Sequence, residues 1–265
     1  MVSSLSLIFM VISEFLALGV PIVALIYFIR KYRISWKPIL IGLLIFIVFS
    51  QVLEKLLHVY VLVINPLTVE WMENPFVFAI YGGLAAGVFE EVGRFVGFRY
   101  LLKKYRDWKD GVGYGIGHGG IESLFVGGLA IGQSLIFSFM INADVFETMV
   151  QSSGGGDAAV ALTTVKEQLI GQPSVYFLMG GLERVFAFAL QLALSVLVLY
   201  GVRSRKLIYL LYAVLIHAAV DFLAVLAGKF GVSVYVTEGL LCVVAILSGV
   251  FIVKSKEWFA KAAGA

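Results

Sequence analysis

Three polar pairs interrupt a chain that is otherwise mostly apolar: Glu90 and Arg94 in "FEEVGRF", His118 and Glu122 in "GHGGIES", and His217 and Asp221 in "HAAVD". The partners in each pair are four residues apart, which puts both side chains on one face of a helix. Glu91 adjoins the first pair, and "GGLERVF" adds Glu183 and Arg184. Carboxylates beside imidazoles can activate water: a glutamate takes the proton, a histidine orients or relays it, and further donors stabilise the oxyanion of an attacked carbonyl. The same residue types suit zinc, since His118, Glu122, His217 and Asp221 would offer two nitrogens and two oxygens. They are also the parts of proton relays in transporters and channels.

The surroundings make these residues conspicuous. With 61% hydrophobic residues, 14% charged residues and a mean hydropathy of +0.99, the 265-residue chain has too little polar surface to cover a soluble core. Apolar runs near the ~20 residues that cross a bilayer predict seven helices, at 5–29, 38–57, 76–101, 112–141, 175–201, 207–227 and 231–253. The expectation is an all-α, polytopic transmembrane helical bundle forming one integral membrane domain, 1–265, with its motif-bearing core at 76–227. The first run has no basic segment ahead of it and holds Glu14 and Pro21, so it reads as a spanning helix rather than a cleaved leader. The connection at 142–174, with "QSSGGGDAA" and then "LTTVKEQLI", reads as a solvated extracytoplasmic loop carrying a short interfacial helix.

Basic residues cluster in alternate connections: Arg30, Lys31, Arg33 and Lys37; Lys103, Lys104, Arg106 and Lys109; Arg203, Arg205 and Lys206; then Lys254, Lys256 and Lys261. By the positive-inside rule the N-terminus is outside and the C-terminus cytoplasmic. The basic pI therefore reflects topology, and nothing points to nucleic acid. Cys242 is the single cysteine, which excludes an internal disulfide and a multi-cysteine metal site.

Depth decides whether the polar pairs could meet. At about 1.5 Å per residue, Glu90 lies roughly 20 Å below the outer end of the third helix, His118 and Glu122 roughly 10 to 16 Å from the cytoplasmic side, and His217 and Asp221 roughly 15 to 20 Å from that side. All converge on one layer, central to slightly cytoplasmic. Glycines at 113, 115, 117, 119 and 120, with Gly82, Gly83 and Gly87 on the preceding helix, would let backbones approach closely around His118.

No HExxH zinc motif is present. A GxGD string, Gly154–Asp157, falls in the polar loop, and Ser123 reads as an intrahelical hydroxyl rather than a nucleophile. "EEVGR", "YGIGHGGIE", "GLERVFA" and "HAAVD", in this order on four successive helices, resemble the YhfC-type glutamic intramembrane proteases, relatives of the CAAX-prenyl proteases and bacteriocin-processing enzymes. The resemblance implies a membrane endopeptidase, in a prokaryotic plasma membrane, that cuts a membrane-associated peptide or protein. It implies Glu90 as general base, His118 holding the water, and His217 and Asp221 forming the oxyanion site, with Arg94, Glu122, Glu183 and Arg184 in support and no cofactor; zinc is the alternative. Arg94 is i+4 to Glu90 and i+3 to Glu91, so Glu91 is an equal candidate for the base. An ionised Asp221 has no proton to donate, so it is either neutral or orients His217. A non-enzymatic proton-coupled transporter or channel also stays open.

The remaining polar residues rank lower. Glu54, Lys55 and His58 read as an interfacial cluster that reaches water by snorkelling, and Glu14 and Glu238 as isolated polar groups of the bundle. Trp71, Trp108 and Trp258 read as interface anchors. Tyr114, one turn before His118, reads as a core aromatic able to stack on it.

Overall fold

In the computed structural model, which describes residues 1–261, helices account for almost all of the chain and no strand occurs among the described residues. The last four positions of the expected domain lie outside the described residues. Helices satisfy their own backbone groups, which hydrocarbon requires. They run in the order α1 Ser4–Tyr32, α2 Trp36–Ile64, α3 Pro75–Leu101, α4 Trp108–Asn142, α5 Phe146–Ser152, α6 Gly156–Gly171, α7 Ser174–Ser204, α8 Ile208–Lys229 and α9 Val234–Lys261. All but α5 and α6 are long and apolar enough to cross a membrane, seven among the described residues. The polar breaks act as caps: the Ser3, Ser35 and Asn74 side chains accept from backbone N–H groups at the starts of α1, α2 and α3.

The connection at 142–174 is more ordered than a loop. It forms α5 and α6, with Gly154, Gly155 and Gly156 at positive φ making the turn between them. The predicted short helix is thus the second half of a longer one, and Asp157 of the GxGD string is exposed at its start.

The chain separates into two compact units. The first comprises Met1–Val20 and Ser123–Val185, around buried Val2, Met10, Ile141, Phe146 and Leu169. The second comprises Pro21–Glu122 and the chain from Phe186 onward. In it α3 packs along α8, and the first half of α4 lies against α2.

The alternating glycines of α4 form two ridges. A Cβ at Gly111, Gly115 or Gly119 would press on α7, at 3.2 Å from Val196 Cα, 2.8 Å from Leu192 Cα and 3.0 Å from Gln191 Cβ respectively. A Cβ at Gly113 or Gly117 would instead meet α2, at Ile34 and at the Ile39 carbonyl. Residues two apart on a helix point to well-separated faces, so glycine at every second position lets two neighbours in at once. Gly42 of α2 completes the second contact against the Tyr114 carbonyl, and Gly83 and Gly87 bring α3 onto Ala218 and Val214 of α8. Gly82 departs from expectation, with nothing near its absent side chain. Gly117→Ala is therefore expected to destabilise the protein by about 1–3 kcal/mol, through overpacking against a carbonyl that cannot move alone. A thermal unfolding scan in detergent checks it, with Gly82→Ala as the unaffected control.

Candidate active site

α3 carries Glu90, Glu91 and Arg94 on its buried face, with Glu91 and Arg94 fully enclosed and Glu90 at 6% exposure. Buried charge is tolerated only when partnered. Arg94 meets that need through Nη1, which donates to Glu91, and Nη2, which donates to the side-chain amide oxygen of Gln191 on α7 and, at 3.4 Å, to Glu90. Glu91 Oε1 also lies 2.8 Å from His217 Nδ1. A carboxylate held by arginine can only accept, so His217 donates from Nδ1, leaving Nε2 to face Asp221 Oδ2 at 3.5 Å and Glu90 Oε2 at 4.0 Å.

Glu90 sits differently. Its Oε2 is 2.9 Å from His118 Nε2 and accepts from Gln191 Nε2 at 3.2 Å. The His118 ring is fully buried, held edge-on by Phe46 with centroids 5.1 Å apart and stacked on Tyr114 at 6.1 Å. Its Nδ1 is buried with no hydrogen-bond partner. One turn further along α4, half-buried Glu122 brings a carboxylate oxygen to the same place: one ligand-capable atom each from Glu90, His118 and Glu122 lies within 4.8 Å of the others.

Glu90, Glu91, Arg94, His118, Glu122, His217 and Asp221 all belong to the second unit, with the Asp221 side chain at its edge, 36% exposed. The four-residue metal set expected from sequence is redrawn: Glu90 joins His118 and Glu122, whereas His217 and Asp221 pair with each other beside them. Glu183 and Arg184 pair with each other in the first unit, where Arg184 lies against Gly127. In the second unit Gln191 of α7 supplies a polar group that the sequence reading had not singled out, bonded to both Arg94 and Glu90. Its signal was present as the one amide in the apolar run "FALQLALS".

Of three minor readings, two change and the one for Tyr114 holds. Trp108 is buried rather than an interface anchor, because its indole N–H donates to the Ile252 carbonyl at 2.9 Å and its ring packs on Tyr32. Tyr114 is both core and stacking partner, fully buried and also against Phe98. Glu54 and His58 do not snorkel: Glu54 is 6% exposed and His58 bridges it to Tyr81.

Comparison with known proteins adds a family. A family model described as YhfC intramembrane metalloprotease matches residues 16–241. The uncharacterized membrane protein YhfC of Bacillus subtilis strain 168 is 40% identical over 261 residues, covering 98% of this chain and all of that protein. No solved structure matches.

Proposed function

The chain belongs to the YhfC intramembrane metalloprotease family, and from that premise we propose that it hydrolyses a peptide bond of a membrane-associated peptide or protein, with Glu90, His118 and Glu122 at the centre of the reaction. The observation that supports this reading is the convergence of those three side chains to within 4.8 Å on helices long enough to cross a membrane. The donors fit zinc, being two carboxylates and an imidazole, and His118 Nδ1 is a buried atom left without a partner. Zinc at such a site supplies a Lewis acid for the scissile carbonyl and lowers the pKa of water beside it.

The chain's own groups do the rest. Asp221, the most accessible acid beside His217, takes the proton released as the water oxygen bonds to the carbonyl carbon. His217 Nε2, 3.5 Å from that carboxylate, passes the proton to the amine nitrogen as the C–N bond breaks. Glu91 holds the tautomer that leaves Nε2 free for this transfer, and Arg94 keeps Glu91 in place. Enclosure by the bundle excludes bulk water and strengthens each of these interactions. The alternation of basic connections supports an outside N-terminus and a cytoplasmic C-terminus, which sets the site in the central to cytoplasmic half.

A second reading, metal-free glutamate catalysis, is favoured by the 2.9 Å contact between His118 Nε2 and Glu90 Oε2, which would orient Glu90 as the base for a water. Elemental analysis of detergent-purified protein, paired with cleavage of a peptide library with and without chelator, separates the two. The expected result is about one zinc per chain and cleavage that chelation abolishes and zinc restores. Undiminished cleavage by metal-free protein would leave Glu90 as base and sink the zinc reading. No cleavage in either condition would sink the protease reading itself.

A further inference from the structure

Glu54, His58 and Tyr81 form a polar column that the reaction described above does not use. His58 Nδ1 lies 2.7 Å from the Tyr81 hydroxyl and His58 Nε2 lies 3.2 Å from Glu54 Oε1, so three proton-carrying groups are joined without a gap. Glu54 lies within electrostatic reach of Glu90 and His217, which links the column to the buried glutamates, and Lys55 is the other charge acting on it. Glu54 is 6% exposed, with Ser50 one turn earlier also beside it, and a carboxylate so enclosed is costly unless water reaches it. The column also rises toward a helix end. Tyr81 is nine residues, roughly 13 Å, before Glu90 on α3 and roughly 9 Å after its first residue, Pro75. Glu54 closes the π-helical stretch Ile47–Glu54, whose wider turns are a common mark of functional positions in helices.

Hydrolysis consumes one water per bond cut, and hydrocarbon supplies none. We propose that Tyr81, His58 and Glu54 line a hydrated path that carries water between the buried site and the membrane face at which α2 ends and α3 begins. This inference rests on the hydrolytic reading of the Glu90 site. The path replenishes the attacking water between turnovers, so His58 and Glu54 are positioning residues that never touch substrate.

The test has one arm that needs no activity. In a Cys242→Ser background reconstituted in sealed vesicles, Glu54→Cys is reacted with a charged, membrane-impermeant thiosulfonate and compared with Leu56→Cys, a position on the same helix that is 64% exposed yet apolar in setting. Thiolate forms only where water reaches it, so Glu54→Cys is expected to react about tenfold faster or more. Equal or slower labelling would overturn the path and leave the column as a structural tie between α2 and α3. In the second arm, His58→Phe and Tyr81→Phe are expected to lower kcat about tenfold at unchanged KM, and added imidazole to restore part of the rate of His58→Ala. Wild-type kcat in both phenylalanine variants would also overturn the proposal. Should the wild-type protein cleave nothing, the protease reading fails while the labelling comparison still decides the path.

Discussion

Glu90→Gln is expected to lower kcat/KM by on the order of 10³-fold or more, because the proposed reaction centres on the Glu90, His118 and Glu122 donors and a neutral amide is a much weaker donor than a carboxylate. The amide keeps the size of the carboxylate and can still bond to Gln191 and Arg94, so the helices that meet there should stay folded. What it loses is the negative oxygen that faces His118 at 2.9 Å and lies within 4.8 Å of Glu122. Glu91→Gln should fall much less, about 10- to 100-fold, because Glu91 acts through His217, and changes to groups that orient a working residue have that size. Kinetics of the two variants, with zinc content measured alongside, therefore rank the adjacent glutamates. If Glu91→Gln is the more damaged of the two, the assignment of roles to the pair is reversed.

That ranking was not legible in the sequence, although the pair itself was. Spacing put Arg94 within reach of both glutamates and could not choose between them. The choice comes from other helices: His217 of α8 settles on Glu91, while His118 of α4 and Gln191 of α7 settle on Glu90. The spans, by contrast, were readable to within a few residues apart from extensions at some ends, because bilayer thickness fixes how long an apolar run must be. The i,i+4 pairs were readable because both members share one helix.

Errors arose where one helix had to be registered against another. Gln191 is a neutral amide in an apolar run, and only the packing of α7 against α3 shows that it reaches Arg94. Sequence alone sends Glu54 and His58 toward water, because their side chains are long enough to snorkel. Tyr81, on the next helix, gives His58 a nearer partner and draws the pair inward. The glycine ridges show the same dependence: period two was visible, yet its purpose, one ridge for α2 and another for α7, needs the positions of both neighbours.

Arg94→Met should be the most destabilising single change in the cluster. Arg94 is fully buried and spans three partners, Glu91, Gln191 and Glu90, so its loss leaves two enclosed carboxylates without their strongest compensating charge. Breaking a buried ion pair from one side costs about 3–5 kcal/mol, well above the net worth of the pair, because the abandoned charge remains desolvated. Methionine approximates the volume of the aliphatic stem, so a cavity contributes little to the difference. The unfolding midpoint in mixed micelles measures the effect. A second substitution makes the cause visible: adding Glu91→Gln to Arg94→Met removes the abandoned carboxylate and should return part of the lost stability, although each change alone destabilises. Additive losses in the double variant would mean that Arg94 acts through packing, and the electrostatic account of this cluster would fall with that result.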